Sequence, residues 1–318
     1  MQVITGDDIH RLLDFPSLID ALRAMFRDGC EAPARHHHSV AAATEGCTPG
    51  TLLLMPAWQA GRALGIKIVT VFPDNALRSL PAVHGTYLLL DAATGVPLAL
   101  LDGTALTLRR TAAASALAAD FLAPPDSAVH LMVGTGALAP HLVAAHAAVR
   151  PIRQTLIWGR DPDKAAALAE RLVQGGIAAA PVVELDAAAA TADIITCATL
   201  AQEPLIRGAW LRPGTHLDLV GGYTPDMREA DDAAVARARV YIDTDAALCE
   251  AGDIVQPLRS GHLARERIVG DLFGLSRAVC PGRRDAAEIT LFKSVGTALE
   301  DLAAAQLAVS RFDQRDDS

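Results

Sequence analysis

The chain has 318 residues, a formal net charge of −9 and a hydrophobic fraction of 51%. This length is about twice that of an ordinary single domain, so we expect two domains around large buried cores. The acidic balance disfavours nonspecific nucleic-acid binding, which depends on clustered lysines and arginines. The five cysteines are scattered without a Cys-x-x-Cys pair, which excludes a disulfide scaffold and disfavours a zinc site.

The amino terminus, Met1-Gln-Val-Ile-Thr-Gly-Asp-Asp, lacks the basic segment and apolar run of a secretory signal. The longest apolar stretch, residues 128–149, is interrupted by glycine, proline and histidine, which would be costly in a bilayer. The sequence therefore predicts a soluble, cytoplasmic protein whose partner is a small molecule rather than nucleic acid or a membrane.

The first third of the chain predicts one helix and a small sheet. Apolar residues recur at helical spacing from Pro16 to Cys30, and Gly29 closes this pattern. Short apolar runs bounded by Gly, Pro, Asn and Asp then predict strands of an antiparallel or mixed sheet. These runs are Thr51–Met55, Gly65–Phe72, Gly85–Asp91 and Pro97–Asp102. Residues 92–95 form the predicted hairpin connection between the last two strands.

An alanine-rich helix is predicted from Leu106 to Leu122, and Pro124-Pro125 marks the domain junction because proline cannot continue a helix. Strands then alternate with helices, which predicts a parallel, doubly wound sheet. The strands are predicted at 129–133, 154–158, 192–196, 215–220 and 240–243, and the helices at 138–149 and 163–174. A last helix is predicted from Lys293 to about Val309. The predicted fold class is therefore α/β, a Rossmann-type domain with a second, α+β domain.

A glycine turn follows the first strand of the predicted parallel sheet. Gly134-Thr-Gly-Ala-Leu-Ala139 has the pattern G-x-G-x-x-A in the strand–turn–helix context that a dinucleotide site requires. Gly134 permits the tight turn, Gly136 lets the backbone approach a pyrophosphate, and Ala139 allows close helix packing. Ala137 and Leu138 then lead into a helix N-terminus, whose free N–H groups suit a diphosphate.

The second strand ends in Trp158-Gly159-Arg160 instead of the acidic residue that binds a free ribose 2′-hydroxyl. Arginine suits a 2′-phosphate, because its planar, permanently charged group can bind phosphate through two hydrogen bonds. Asp161 follows directly, so a merely exposed arginine in a loop stays an alternative. We therefore predict NADPH as the cofactor, with NADH as a weaker one, and assign Gly159, Arg160 and Asp161 to its site.

Six segments of the chain carry a family pattern. They are Gly65-Ile-Lys-Ile-Val69, Arg110-Thr-Ala-Ala-Ala-Ser-Ala116, Val133-Gly-Thr-Gly136, Ile157-Trp-Gly-Arg160, Val220-Gly-Gly-Tyr-Thr-Pro-Asp-Met-Arg-Glu229 and Glu288-Ile-Thr-Leu-Phe-Lys-Ser-Val-Gly296. In this order they resemble the ornithine cyclodeaminase/mu-crystallin family over essentially the whole chain. The resemblance implies a homodimer in which residues 1–123 and 295–318 form the substrate-binding and dimerisation domain, and residues 124–294 form the Rossmann domain.

The resemblance also implies that Arg35, Lys67 and Arg110 bind the carboxylate of a small amino or imino acid. Charge-assisted hydrogen bonds from such residues hold and orient a carboxylate that has left water. Lys67 lies in an apolar strand, where burying a lysine is costly, although strand alternation also allows it to face solvent. Further cofactor positions implied by the resemblance are Thr111, Thr199, Val220 and Ser294.

The residue after Gly221-Gly222 distinguishes reactions within this family. Ornithine cyclodeaminases carry an aspartate there to handle the substrate amine, whereas this chain carries Tyr223. A phenol with an ordinary pKa of about 10 is a poor substitute for a carboxylate. Ketimine reductases of the mu-crystallin type also lack the aspartate and carry arginine at the position of Arg160. The resemblance therefore implies NADPH-dependent reduction of Δ1-pyrroline-2-carboxylate or Δ1-piperideine-2-carboxylate to L-proline or L-pipecolate.

The proton source stays open among Lys67, Tyr223, His84 and water. Ornithine cyclodeamination, amino-acid dehydrogenation and NADPH binding without turnover are the alternative functions, because a fold alone does not determine activity. His36-His37-His38 does not predict a metal site, since adjacent side chains point to different sides and no second ligand cluster follows. A solvated loop is predicted at these histidines.

Overall fold

The computed structural model describes residues 1–42 and 48–316. Its strands are β1 (Gln2–Ile4), β2 (His36–Val40), β3 (Gly50–Gln59), β4 (Ala63–Val71), β5 (Val83–Leu90), β6 (Pro97–Asp102), β7 (Val129–Val133), β8 (Gln154–Trp158), β9 (Ala179–Pro181), β10 (Ile194–Cys197), β11 (His216–Leu219), β12 (Arg239–Ile242), β13 (Ile268–Asp271) and β14 (Thr290–Lys293). Its α-helices are α1 (Gly6–Leu12), α2 (Phe15–Asp28), α3 (Gly103–Leu122), α4 (Ala139–Val149), α5 (Pro162–Gln174), α6 (Leu185–Thr191), α7 (Asp232–Arg237), α8 (Ala247–Glu250), α9 (Gly252–Ser260), α10 (Leu272–Ser276) and α11 (Ala298–Asp316). Across the described residues, we find no helix with the length and apolar character needed to cross a bilayer.

The chain divides into two compact units. The first unit combines Met1–Arg110 with the chain from Thr297 onward, and the second unit is Thr111–Gly296. The first division falls inside α3, whereas the sequence pattern placed the junction after residue 123. The alanine-rich sequence of α3 explains why the helix continues through the division, since alanine has the highest helix propensity.

The first unit contains a six-stranded mixed sheet with the order β1-β6-β5-β4-β3-β2. β1 pairs with β6 in parallel, and the other neighbours pair antiparallel. α11 packs against β3, β4 and β5, and α2 packs against α11. The amphipathic sequence of α2 buries Leu18, Leu22 and Phe26, and Gly29, with a φ of 82°, caps the carboxyl end of the helix. The predicted mixed sheet and its first helix are confirmed.

The face of this sheet that carries Ile66 and Ile68 is also apolar. Cross-strand register aligns Val3 with Leu100, Leu100 with Leu88, and Leu88 with Ile66. The exposed fractions are 63% for Val3 and 36% for Ile68. We call this the outer face and define it by Val3, Ile66, Ile68, Leu88, Leu98 and Leu100. A broad exposed apolar patch of this kind is typical of a protein–protein interface.

Two predictions of secondary structure, one in each unit, were wrong. His36–Val40 forms β2 rather than a loop, because its backbone pairs with β3 while its side chains stay exposed. Lys293 ends β14 and does not begin the last helix, which starts at Ala298. β14 is short and buried throughout between β11 and β12, so its sequence shows no strand alternation.

The second unit contains an eight-stranded parallel sheet with the order β13-β12-β14-β11-β10-β7-β8-β9. From β7 the chain builds outward to β8 and β9, and then returns to place β10 on the other side of β7. Ligands of open parallel sheets bind at such a reversal, beyond the carboxyl ends of the strands. The predicted doubly wound parallel sheet is confirmed, and β7 and β8 have the predicted bounds.

Candidate active site

The carboxyl ends of β8, β7, β10, β11 and β14 lie along one edge of the second unit's sheet, because neighbouring strands are parallel and in register. We call this the carboxyl edge. The predicted cofactor residues that it brings together are Gly134, Gly136, Ala137, Leu138, Gly159, Arg160, Asp161, Thr199, Val220 and Ser294. Thr111 lies instead on α3, half-buried.

The glycine turn after β7 fits a pyrophosphate. Gly134 has a φ of 121°, and a β-carbon there would lie 2.6 Å from the carbonyl oxygen of Ala198, so only glycine suits the position. A β-carbon at Gly136 would meet no atom within 4 Å, so the backbone faces open space there. α4 begins beyond Leu138 without a side-chain cap. An uncapped helix N-terminus beside open space is a favourable place for a phosphate.

Arg160 is the exposed charge beside this turn. A β-carbon at Gly159 would lie 2.8 Å from Cγ2 of Thr135, so the end of β8 packs directly against the glycine turn. The Asp161 carboxylate caps α5 by accepting hydrogen bonds from the backbone N–H groups of Asp163 and Lys164. Asp161 thus has a structural partner, which leaves Arg160 as the neighbouring group suited to a phosphate.

Lys67 lies on the buried face of the first unit's sheet, which we call the inner face. It stands in register between Met55 and Tyr87, and only 2% of it is exposed. Its Nζ lies 2.6 Å from Oδ2 of Asp301, at the start of α11. Strand alternation alone could not assign Lys67 to either face. The structure shows an ammonium group buried under a helix.

Arg110 belongs to the same buried cluster. Its Nε donates to Oδ1 of Asp301 over 3.0 Å, and its Nη1 donates to Oε2 of Glu300 over 2.6 Å. The cluster of Lys67, Arg110, Glu300 and Asp301 therefore joins two basic and two acidic side chains. Sequence reasoning missed Glu300 and Asp301. Their signal was an acidic pair in the first turn of a helix whose following residues are apolar.

Burial, followed by the nearby Arg110 charge, lowers the pKa of Lys67 to about 8, although Asp301 opposes this shift. An ammonium group that titrates near neutrality can bind an anion when protonated and can also release a proton. Such perturbed groups are concentrated at functional sites. The Lys67 cluster is therefore the candidate substrate-binding centre of the first unit.

The other predicted catalytic residues occupy different positions. Arg35 directly precedes β2, which pairs with β3, and is half-buried. His84 is exposed, and strand alternation puts it on the outer face, opposite Lys67. Tyr223 follows β11 in the second unit and is 54% exposed. Within residues 1–42 and 48–316, no three His, Cys, Asp or Glu side chains are grouped to hold a metal.

A parallel sheet with a glycine turn at its carboxyl edge defines a Rossmann-type dinucleotide-binding protein. The model of the ornithine cyclodeaminase/mu-crystallin family matches residues 2–315. The chain therefore belongs to the ornithine cyclodeaminase/mu-crystallin family, which confirms the resemblance seen in its motifs.

Three relatives illustrate this membership. The chain is 38% identical over 315 residues to the Δ1-pyrroline-2-carboxylate reductase of Colwellia psychrerythraea, covering 98% of this chain and 99% of the relative. The solved structure of Thermococcus litoralis Δ1-pyrroline-2-carboxylate reductase in complex with NADH and L-proline is similar with a TM-score of 0.92 and 33% identity, covering 99% of this chain and 98% of that one. An archaeal alanine dehydrogenase dimer with bound NAD follows with a TM-score of 0.89 and 25% identity, covering 99% and 97%.

Proposed function

We propose that this protein reduces a cyclic ketimine carboxylate, Δ1-pyrroline-2-carboxylate or Δ1-piperideine-2-carboxylate, to L-proline or L-pipecolate with NADPH. The observation that carries the proposal is the buried Lys67 ammonium, paired with Asp301 beside Arg110. Burying such charges is costly, and they suit a substrate that brings a carboxylate of its own. The likeness to two Δ1-pyrroline-2-carboxylate reductases supports this substrate class.

The first unit supplies the groups that bind the substrate. Lys67 and Arg110 hold its carboxylate through charge-assisted hydrogen bonds, with Arg35 as a third cation. Asp301 and Glu300 orient these donors and balance their charge. The substrate carboxylate therefore competes with the carboxylates of Asp301 and Glu300 for the same donors. This competition limits the affinity, so the product can leave. Below about pH 8, the Lys67 ammonium also carries a transferable proton. The carboxyl edge of the second unit would hold NADPH, which supplies the hydride.

One assay tests this function against its alternatives. Oxidation of NADPH and NADH is followed with each cyclic imine, beside ammonia release from ornithine and NAD(P)H formation with alanine. We expect imine-dependent NADPH oxidation. Ammonia release alone would indicate a cyclodeaminase, and alanine-dependent reduction of the nucleotide would indicate a dehydrogenase. NADPH binding without any turnover would indicate a ligand-binding protein without catalytic activity. The leading proposal fails if no imine is reduced.

Arg160 is proposed to select NADPH through its 2′-phosphate. Arg160→Asp removes the cation and adds a repelling carboxylate, so we expect the Kd of NADPH to rise by about 100-fold while that of NADH changes little. Titration calorimetry with both nucleotides measures this. Arg153→Asp, at the exposed amino end of β8, is the matched control and should leave both affinities unchanged. Equal losses for the two nucleotides in Arg160→Asp would refute the assignment.

We further propose that the outer face of the first sheet joins two copies of the chain in a homodimer. The apolar rows across four strands of that face suit a self-complementary interface, and one relative's solved structure is a dimer. Ile68→Asp buries an unpaired carboxylate there, so we expect the dimer dissociation constant to rise by roughly 100-fold. Light scattering after size exclusion measures the mass. Val173→Asp, on an exposed valine of α5, is the control, and an unchanged mass for Ile68→Asp would contradict this interface.

A further inference from the structure

Glu229 is a fully buried glutamate that sequence reasoning left without a role. It follows the loop after β11, and its carbonyl oxygen accepts hydrogen bonds from the backbone N–H groups of Leu205 and Ile206. Its backbone is thus fixed from both sides, since its own N–H donates to Oδ1 of Asp253 over 2.8 Å. The side chain therefore projects from a rigid point next to the carboxyl edge.

The Glu229 carboxylate joins two loops of that edge. Its Oε1 accepts from the backbone N–H and the hydroxyl of Thr199, over 2.7 and 2.8 Å, in the loop after β10. Its Oε2 accepts from the backbone N–H groups of Gly221 and Gly222, over 2.8 and 3.4 Å, in the loop after β11. Backbone donors to a charged acceptor are strong hydrogen bonds and hold a loop in one conformation.

The two loops touch at this point. A β-carbon on Gly221 would overlap the backbone of Thr199 and would lie 2.6 Å from Oε1 of Glu229. No side chain fits there, so the carboxylate contacts both backbones directly. Because these loops carry Thr199 and Val220, two of the proposed cofactor positions, their conformation sets the shape of the cofactor site.

A second buried pair stands beside Glu229. Nζ of Lys293, at the end of β14, lies 3.3 Å from Oδ2 of Asp253, and both side chains are fully buried. A β-carbon on Gly222 would lie 3.0 Å from the same Oδ2 and 3.4 Å from the same Nζ. Burial raises the pKa of Glu229, and Lys293 opposes that shift by favouring the charged form. Lys293 thus supplies the positive charge that keeps this acidic cluster compatible with burial.

We propose that Glu229 is a positioning residue for nucleotide binding, which fixes the loops after β10 and β11 through one carboxylate and is itself supported by the Lys293–Asp253 pair. This inference rests on the dinucleotide site of the proposed function and is independent of which imine is reduced. Glu229 acts through the backbone of Thr199, Gly221 and Gly222 and contacts no ligand, since it is fully buried.

Glu229→Gln keeps the shape of the side chain but replaces an acceptor oxygen by an N–H₂ group that faces N–H donors. We expect the Kd of NADPH to rise by about 10- to 100-fold, the range that lost hydrogen bonds to a charged group would give. Titration calorimetry without imine measures this. The KM for the imine should change much less than the nucleotide Kd.

Glu288→Gln is the matched control. Glu288 lies two residues before β14, at the opposite end of that strand from Lys293, and its carboxylate accepts from Nη1 of Arg239 and the backbone N–H of Arg284, each over 2.8 Å. Both variants should lower the Tm, but only Glu229→Gln should weaken nucleotide binding. If Glu229→Gln does not fold, Glu229→Asp replaces it, and its shortened carboxylate should give an intermediate Kd.

A folded Glu229 variant that binds NADPH as tightly as the wild type would overturn the inference. So would an equal loss of affinity in Glu288→Gln, because the effect would then follow from general destabilisation. A wild-type protein that binds neither NADPH nor NADH would overturn both the inference and the proposed function. Failure of imine reduction with normal nucleotide binding would remove only the proposed substrate.

Discussion

Replacement of Lys67 by methionine is expected to lower kcat/KM for the cyclic imine by about 100- to 1000-fold, which lies within the roughly 2–5 kcal/mol lost when one partner of a buried charge pair is removed. Methionine keeps the unbranched apolar stem of the side chain but removes the ammonium that would hold the substrate carboxylate. It also removes the Nζ that lies 2.6 Å from Oδ2 of Asp301. The unpaired Asp301 carboxylate would then repel the carboxylate of the substrate. Steady-state kinetics with varied imine at saturating NADPH measures the effect.

Lys67→Arg is the conservative control for this variant, because it keeps a positive charge next to Asp301. It should retain far more activity than Lys67→Met, while the NADPH affinity of both variants stays close to that of the wild type. A Lys67→Met enzyme with wild-type kcat/KM would remove Lys67 from the substrate site.

The same pair of variants tests the pH dependence. Because burial lowers the pKa of Lys67 to about 8, the side chain is an ammonium below that pH and a neutral amine above it. A neutral amine cannot pair with the substrate carboxylate, so kcat/KM should fall as the pH rises through about 8. Lys67→Arg should move this decline to higher pH, since arginine stays charged. An unchanged decline would assign the titration to another group, such as the imine.

Replacement of Gly134 by alanine is expected to weaken NADPH binding by at least about 100-fold and to lower the Tm, because backbone strain of about 1–3 kcal/mol adds to a direct clash. The backbone has a φ of 121°, and the added methyl would lie 2.6 Å from the carbonyl oxygen of Ala198. The turn must then move away from the loop after β10. Calorimetric titration gives the affinity, and thermal unfolding gives the Tm.

Variants at two further glycines distinguish the effect of backbone strain from the effect of the shape of the cofactor site. Gly61→Ala also has a positive φ, of 70°, but its β-carbon would meet nothing within 4 Å, so it should lower the Tm without affecting NADPH. Gly136→Ala also meets nothing within 4 Å, so it should leave the Tm unchanged while its methyl enters the proposed pyrophosphate space. Wild-type affinity in Gly134→Ala would contradict the placement of the pyrophosphate at this turn.

Local patterns predicted most of the elements, because helix and strand periodicity and the Gly and Pro boundaries are encoded in neighbouring residues. β7 and β8 were predicted with their observed bounds for this reason. The spatial order of the strands was not predictable. Thr290–Lys293 is too short and too uniformly buried to show alternation, and its place between β11 and β12 depends on pairing with distant strands.

Site residues could be predicted from the sequence where the residue type and its position together indicate one function. The glycine turn and Arg160 could be assigned to a proposed dinucleotide site from their positions after two strands. The partners of Lys67 and Arg110 could not be predicted, because Glu300 and Asp301 lie about 190 residues beyond Arg110 and meet it only through folding. A buried role for Glu229, the last residue of the Val220–Glu229 segment, was not predicted, since acidic residues in loops are usually exposed.

The position of β14 and α11 affects how the protein can fold during synthesis. β14 is the last of the described strands, yet it lies between β11 and β12, and α11 packs against strands made more than 200 residues earlier. Neither unit is complete until β14 and α11 leave the ribosome, so the unit that begins at Met1 cannot finish folding before the second unit is made, as early domains usually do. During synthesis, two incomplete sheets with apolar faces are therefore exposed to aggregation. The Asp301 carboxylate that pairs with Lys67 is also made only with α11.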